Sequence, residues 1–189
     1  MKAPLAALTA GLAFFAVTAP AFANFHEWLP DEAFSNASGT IQFIEFSDLF
    51  NGEEFLTVTS LRSNANTFPF VSNLPSFLTS GKHFLVGTAA FAALPGAPAP
   101  DYIIPANFFS TTADDLFLNG SFQPPLGFSA GSLPTDGIHS LSFDGTSLST
   151  AINSPTNFAG ATASIPEPAT GLLLLTGLLG FAARRRWCA

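Results

Sequence analysis

The apolar positions in the middle of the chain follow patterns that predict β-strands. Residues Thr40–Phe46, TIQFIEF, are an almost unbroken run of β-branched and aromatic side chains, which is typical of a strand buried on both faces. Residues Phe55–Leu61, FLTVTSL, alternate between apolar and polar side chains, as a half-buried strand does. Thr67–Val71 and His83–Val86 are two further predicted strands.

Glycine-containing pairs mark the turns between these strands. Asp144-Gly145 separates Ser140–Phe143 from Thr146–Ser149 and predicts a β-hairpin with a type I′ turn, in which both central residues need positive φ. Asn51-Gly52 marks a second turn, between the first two predicted strands.

Helical signals are weak, and proline interrupts much of the remaining chain. Asp31–Ser35 is the one helical patch that the pattern favours, and Ala113–Asn119 fits either a short strand or a turn of helix. Leu94–Pro100 and Phe122–Phe128 carry too many prolines to be central strands. Many short strands with regular turns predict an all-β fold, an antiparallel sandwich or small barrel. The residues predicted to face its core are Ile41, Phe43, Phe55, Val58 and Phe84.

The N-terminus has the pattern of a secretory signal peptide. Lys2 precedes an apolar stretch, Pro4–Val17, and Ala21 and Ala23 are the small residues that a signal peptidase reads. We therefore predict a signal peptide at residues 1–23, export by the Sec pathway, and a mature body that begins at Asn24.

The C-terminus combines three features in a fixed order. Pro166, Glu167 and Pro168 form a stiff, extended acidic motif, because proline cannot continue a helix. The apolar run Ala169–Ala183 follows and would span about 22 Å as a helix. Arg184, Arg185 and Arg186 then act as a stop-transfer signal that leaves the body outside the membrane. Residues 165–189 are therefore predicted to form a sorting segment with a single transmembrane helix.

This order of motif, apolar run and arginines resembles the PEP-CTERM sorting signal of Gram-negative bacteria that make exopolysaccharide. The resemblance implies an exosortase as partner, a membrane transpeptidase with a cysteine nucleophile that acts near Pro166-Glu167-Pro168. It also implies an inner-membrane intermediate that is then released to the cell surface or the extracellular matrix.

The composition of the body limits its chemistry. Residues 24–164 are long enough for one domain and lack cysteine, since the chain's one cysteine is Cys188, so the fold uses no disulfide. Arg62 and Lys82 are the body's basic side chains, against twelve carboxylates. This balance argues against nucleic-acid binding, which needs lysine and arginine to replace counterions. Eighteen of the chain's 22 phenylalanines lie in the body and supply ample core material.

Three parts of the body resemble the lamin-tail domain as bacteria use it. They are the strand Phe43-Ile44-Glu45, the hairpin at Asp144-Gly145, and the segment Ser154-Pro155-Thr156-Asn157. A Gly-Trp pair that follows the second strand in that family is missing here. The resemblance implies an immunoglobulin-like β-sandwich that has no shared catalytic site and serves in attachment or adhesion.

One motif suggests a hydrolase. Residues 127–131, GFSAG, match the G-x-S-x-G elbow around a nucleophilic serine, Ser129, and Asp136 and His139 follow in triad order. An elbow needs a strand before it and a helix after it, whereas Pro124-Pro125 and Pro134 flank this motif. The preferred interpretation is a loop rich in glycine and serine.

Metal-ligand patterns are weak in the sequence. His26, His83 and His139 could share a metal ion but have no local ligand spacing. Asp114-Asp115 and Glu53-Glu54 could bind Ca²⁺ weakly but lack the D-x-D-x-D-G loop pattern. The sequence therefore predicts no metal site and no cofactor.

Together these features predict an exported cell-surface or matrix protein without catalytic activity, with a structural or attachment role linked to exopolysaccharide. The alternative is a carbohydrate-binding module, in which exposed aromatic side chains such as Trp28, Tyr102 or phenylalanines stack on sugar rings. A secreted hydrolase acting through Ser129 is the third hypothesis.

Overall fold

The computed structural model describes residues 27–165. In this range ten strands form two sheets, and one 3₁₀ turn and one short helix connect strands. Four predictions fall outside this range: the signal peptide with its cleavage residues Ala21 and Ala23, the Pro166-Glu167-Pro168 motif, the transmembrane helix at Ala169–Ala183, and the arginine cluster. No helix within residues 27–165 is long and apolar enough to cross a membrane. In chain order the elements are β1 (Leu29–Ser35), β2 (Gln42–Asp48), a 3₁₀ turn (Leu56–Val58), β3 (Ser60–Arg62), β4 (Thr67–Pro69), β5 (Lys82–Thr88), α1 (Ala89–Ala92), β6 (Tyr102–Ile104), β7 (Asp114–Leu118), β8 (Leu126–Phe128), β9 (His139–Phe143) and β10 (Leu148–Ile152).

The larger sheet has six strands in the order β10-β9-β1-β2-β5-β6, and the smaller has four in the order β4-β3-β7-β8. The described pairings are antiparallel except for β5 with β6, which is parallel, so the expectation of a purely antiparallel sheet is wrong at this edge. A parallel pair needs a long crossover connection. Here α1 and the proline-rich loop of residues 94–100 provide it.

Strand β2 shows why a continuous apolar run is needed at the centre of the larger sheet. Successive side chains of a strand point to opposite faces. Ile44 and Phe46 face the main core between the two sheets, whereas Phe43 packs on the outer face in a second apolar cluster with Phe34, Leu85, Phe91 and Ile165. Both faces of β2 are therefore covered, as the sequence predicts.

The chain after β10 covers part of this outer face. Asn153 is buried and binds the backbone of Ile165 in both directions, accepting from its N–H at 2.7 Å and donating to its carbonyl at 3.0 Å. Ile165 itself is buried in the second cluster. Residues 153–165, here called the C-terminal segment, are therefore part of the folded domain.

Two predicted elements are wrong. The helical patch at Asp31–Ser35 is strand β1, because it pairs with both β2 and β9. The strand predicted at Phe55–Leu61 is a 3₁₀ turn followed by the short β3. The Asn73 side chain accepts hydrogen bonds from the N–H and hydroxyl of Thr57 and holds this turn. Phe55 and Val58 are consequently 53% and 50% exposed rather than in the core.

The hairpin at Asp144-Gly145 is present, but its turn type differs from the prediction. The loop spans four residues between the paired Phe143 and Leu148, and positive φ occurs at Gly145 (90°) but not at Asp144. The Asp144 carboxylate accepts hydrogen bonds from the N–H groups of Thr146 and Ser147. A side-chain cap thus closes this loop, and the type I′ expectation is wrong.

Apart from α1, the described domain is an all-β, two-sheet structure. A constant-type immunoglobulin domain has seven strands in sheets of four and three, whereas the sheets here have six and four. The immunoglobulin-like detail therefore stays a prediction from the lamin-tail resemblance.

Candidate functional site

Three side chains from neighbouring strands converge on the outer face of the larger sheet. Glu45 of β2 lies opposite Leu85 of β5, and His83 lies two residues before Leu85, so both side chains share one face. Asp31 is the extra residue of a bulge in β1, between the paired positions Pro30 and Glu32. A bulge re-aims a side chain, and here the Asp31 carboxylate reaches the same cluster.

The distances within this cluster are short. The Nδ1 atom of His83 lies 2.6 Å from Oε1 of Glu45 and 3.6 Å from Oδ2 of Asp31. The side chains of Glu45, Asp31 and His83 are 5%, 22% and 37% exposed, so the cluster is buried at Glu45 and open at His83. Nδ1 of His83 and Oδ1 of Asp31 are sealed from solvent, and neither makes a well-aligned hydrogen bond.

A cleft of about 390 Å³ opens beside the cluster. Strand β9, the Asp144 loop, β10 and the C-terminal segment complete its walls. Among residues 27–165, no lysine or arginine lines it. The cleft is therefore a polar and acidic environment.

Burial dominates the electrostatics of the cleft. It raises the pKa of Asp31 to about 6 and the pKa of Glu45 to about 7. Burial also raises the pKa of Glu32, the acid beside them on β1. Contact with the Glu45 carboxylate raises the pKa of His83, against the opposing effect of burial. The cluster therefore retains protons close to neutral pH.

The same acids hold the C-terminal segment. Oε2 of Glu45 accepts a hydrogen bond from the N–H of Thr156 at 2.6 Å. The Glu32 carboxylate accepts from the N–H of Ser154 at 2.9 Å and from its hydroxyl at 3.2 Å. Two of the stretches that carry the lamin-tail resemblance, Phe43–Glu45 and Ser154–Asn157, thus meet in the fold.

The predicted serine triad is not assembled by any described hydrogen bond. The Ser129 hydroxyl lies 3.4 Å from the hydroxyl of Ser132, whereas His139 Nδ1 lies 2.6 Å from Asp136 Oδ2 within one exposed loop. Strand β8 does precede Ser129, which corrects the expectation that Pro124-Pro125 exclude a strand there. A turn, not a helix, follows Ser129.

In each of the two acidic pairs considered for Ca²⁺, Asp114-Asp115 and Glu53-Glu54, one carboxylate accepts hydrogen bonds from nearby backbone N–H groups. Asp114 is buried, and its carboxylate accepts hydrogen bonds from the N–H of Asn64 at 2.6 Å and of Ser110 at 2.8 Å. Glu53 accepts from the N–H of Glu27, and burial raises its pKa to about 7.

The histidines do not share one site within residues 27–165. His83 contacts Glu45 and Asp31, whereas His139 contacts Asp136, and His26 lies outside the described range. The sequence did not reveal Asp31 and Glu45 as partners of His83, because the three side chains come from separate strands and Asp31 lies in a stretch predicted to be helical. The available signal was Glu45, an acid inside an otherwise apolar strand.

The prediction that Trp28 and Tyr102 are exposed and stack on sugar rings is wrong, because both side chains are buried in the main core. Other aromatic side chains are exposed instead. Phe50, Phe55 and Phe77 are each more than half exposed. They lie on two loops that are joined by a hydrogen bond from the N–H of Gly52 to the carbonyl of Phe77 at 2.8 Å.

Comparison with protein families identifies the C-terminal signal. The model of the PEP-CTERM protein-sorting motif matches residues 164–186. The chain therefore carries this sorting motif, which supports an exosortase substrate and implies export to the outside of a Gram-negative cell. The predicted sorting signal is confirmed, whereas the lamin-tail resemblance is not. Neither the search of curated proteins nor that of solved structures found a match.

Proposed function

We propose that this chain is a non-catalytic component of the cell surface or extracellular matrix, with a structural or attachment role linked to exopolysaccharide. In this proposal a signal peptidase removes residues 1–23, Sec exports the chain, and exosortase releases it from an inner-membrane intermediate. The observation that carries the proposal is the junction between domain and signal. The sorting motif begins at residue 164, and Ile165 still packs in the second apolar cluster.

This junction leaves no flexible linker between the folded domain and the motif. The β-domain is therefore the cargo that sorting delivers to the cell exterior. Its acidic character keeps it soluble there.

Co-sedimentation with exopolysaccharide tests the attachment role. We expect the full chain, purified in detergent, to sediment with exopolysaccharide from the producing organism and to stay in solution with dextran. Recovery of the protein in the supernatant with both polymers would contradict the proposed link.

The absence of catalysis is a separate part of the proposal. It is supported by the separation of Ser129 from the Asp136–His139 pair in the hydrogen-bond network. We expect the protein to cleave none of a panel of ester and glycoside substrates. Ester cleavage that is lost in Ser129→Ala would establish the hydrolase hypothesis instead.

A carbohydrate-binding module is the second candidate, favoured by the exposed aromatic loops. Aromatic faces bury apolar area well, and Phe50, Phe55 and Phe77 present such area to solvent. A glycan array distinguishes this candidate from a structural role. Binding to a defined oligosaccharide that Phe77→Ala removes, and that Ile152→Ala on the exposed strand β10 retains, would support the module.

A further inference from the structure

We propose that Asp31, Glu45 and His83 form a binding site for a divalent transition-metal ion of the Zn²⁺ class. The site would join strands β1, β2 and β5 and, through Glu45, the C-terminal segment. It is independent of the attachment role proposed above.

The first argument is geometric. The ligand atoms of the three side chains lie within 4.8 Å of one another. Zn²⁺ binds histidine nitrogen and carboxylate oxygen at about 2.0–2.2 Å, which places neighbouring tetrahedral ligands roughly 3.3 Å apart. The 3.6 Å between His83 Nδ1 and Asp31 Oδ2 is close to this value. Glu45 Oε1, 2.6 Å from Nδ1, would need to retreat by about 0.7 Å to reach that spacing.

The second argument is the state of the polar atoms. Buried polar atoms are normally hydrogen-bonded, yet His83 Nδ1 and Asp31 Oδ1 are sealed from solvent without an aligned partner. Both belong to the side chains that converge. An ion between the three groups would replace the poorly aligned contact of His83 Nδ1 with Glu45 and would neutralise the Asp31 carboxylate.

The third argument is charge. Within the described part of the chain, the cleft is lined by Asp31, Glu32 and Glu45 with one imidazole and no lysine or arginine. Buried carboxylates in such numbers need either protons or a cation to compensate their charge. A divalent ion bound between the three side chains would compensate this charge.

The ligand set also selects the class of ion. One imidazole nitrogen with two carboxylates matches zinc and its neighbours, with water in the fourth position. Ca²⁺ takes six to eight oxygen ligands, and this cluster offers a nitrogen and few oxygens. We therefore expect Zn²⁺ to bind in preference to Ca²⁺.

The ion would have a structural consequence. Glu45 contacts His83 through Oε1 and the N–H of Thr156 through Oε2. Fixing the Glu45 carboxylate would therefore also fix the C-terminal segment that leads into the sorting motif.

Histidine NMR on the full chain in detergent tests this site directly. The chain has three histidines, so ¹⁵N-histidine labelling gives three resolvable rings. On addition of Zn²⁺ at pH 7.5 we expect a one-to-one change at Nδ1 of His83 and none at His139. No change at His83 with 1 mM Zn²⁺, or displacement of Zn²⁺ by equimolar Ca²⁺, would overturn the proposal.

Substitutions provide the matched comparison. His139 Nδ1 makes the same 2.6 Å contact with a carboxylate, Asp136, but among residues 27–165 no third potential ligand joins that pair. We expect His83→Gln and Asp31→Asn to weaken Zn²⁺ binding at least tenfold in calorimetry, and His139→Gln to leave it unchanged. Circular dichroism checks that each variant is folded. If a variant unfolds, the NMR result on the unaltered chain decides whether the site exists. Tight binding that persists in both ligand variants, or that His139→Gln removes, would also overturn the site.

Discussion

Glu45 combines the burial of a core residue with the contacts of a polar one. Its neighbours along β2, Ile44 and Phe46, are fully buried in the main core. Glu45 itself is buried on the opposite face, where it contacts His83 and accepts a hydrogen bond from the N–H of Thr156. A buried acid with two such partners contributes position and charge, not apolar packing.

This residue gives the protein an unusual expected pH dependence. The folded-state pKa values of Asp31 and Glu45, about 6 and 7, lie above their ordinary values of 3.8 and 4.5. An acid with a raised pKa stabilises the fold while it is protonated, and this contribution is lost as pH rises through the folded pKa. The raised pKa of His83 acts in the same direction. With EDTA present, we expect the melting temperature to fall between pH 5 and pH 8.

Two variants separate the cleft from the rest of the molecule in this measurement. Glu45→Gln should reduce the slope, leaving the parts due to Asp31 and to Glu53, whose pKa values burial raises to about 6 and about 7. Asp136→Asn should not change the slope, because hydrogen bonds, chiefly from the His139 N–H, lower the pKa of Asp136 to about 2. Asp144, at the rim of the cleft, has a pKa lowered to about 2 by hydrogen bonds from Ser147 and Thr146 and stays ionised throughout. A melting temperature that rises from pH 5 to pH 8 would contradict the assignment.

At the scale of elements, strand β2 organises the larger sheet, and Phe43 tests its outer face. Phe43 is fully buried, with its ring centroid 5.3 Å from that of Phe34 and 5.1 Å from that of Phe91. Phe43→Ala should lower the free energy of unfolding by about 3–5 kcal/mol in a denaturant titration. Phe55→Ala, at a half-exposed ring, should change it by no more than about 0.5 kcal/mol. Equal effects of the two variants would mean that the second apolar cluster does not form.

The hairpin between β9 and β10 gives a backbone test. Gly145 has φ 90°, and a Cβ there would meet the Leu29 side chain at 3.8 Å, an ordinary van der Waals contact. Gly145→Val should therefore act through backbone strain alone and cost about 1–2 kcal/mol. Gly145→Asn should cost less, because asparagine tolerates positive φ better. An unchanged denaturation midpoint for both variants would mean that this loop adopts another conformation.

The elements that the sequence predicts correctly are those whose signal lies in consecutive residues. Strand β2 is a continuous apolar run, and Asp144-Gly145 marks a turn irrespective of its final type. The strand prediction for Phe55–Leu61 is wrong although its apolar and polar residues do alternate. The Asn73 side chain, 16 residues from Thr57, holds the backbone there in a turn. The helix predicted at Asp31–Ser35 is wrong because pairing with β2 and β9 outweighs a weak local helical preference.

At the scale of the whole molecule, the candidate site could not be predicted because its parts are distant in sequence. Asp31, Glu45 and His83 come together only through the β1-β2-β5 order of the larger sheet. The Thr156 contact adds a separation of 111 residues. The sorting signal is the opposite case, since its residues are consecutive and its order is sufficient for recognition.

The direct junction between domain and sorting signal leads to a test of the whole export route. Changing Glu167 to Ala removes the acid from the Pro-Glu-Pro motif but leaves the residues at the N-terminus and the arginine cluster intact. We expect the variant to be exported and then retained in the inner membrane, because the acidic motif is what the exosortase would read. Fractionation of the producing organism measures this, with Asp136→Ala, an exposed acid outside the motif, as the control that should reach the cell surface. Glu167→Ala protein at the surface in wild-type amounts would show that Glu167 is not required for sorting.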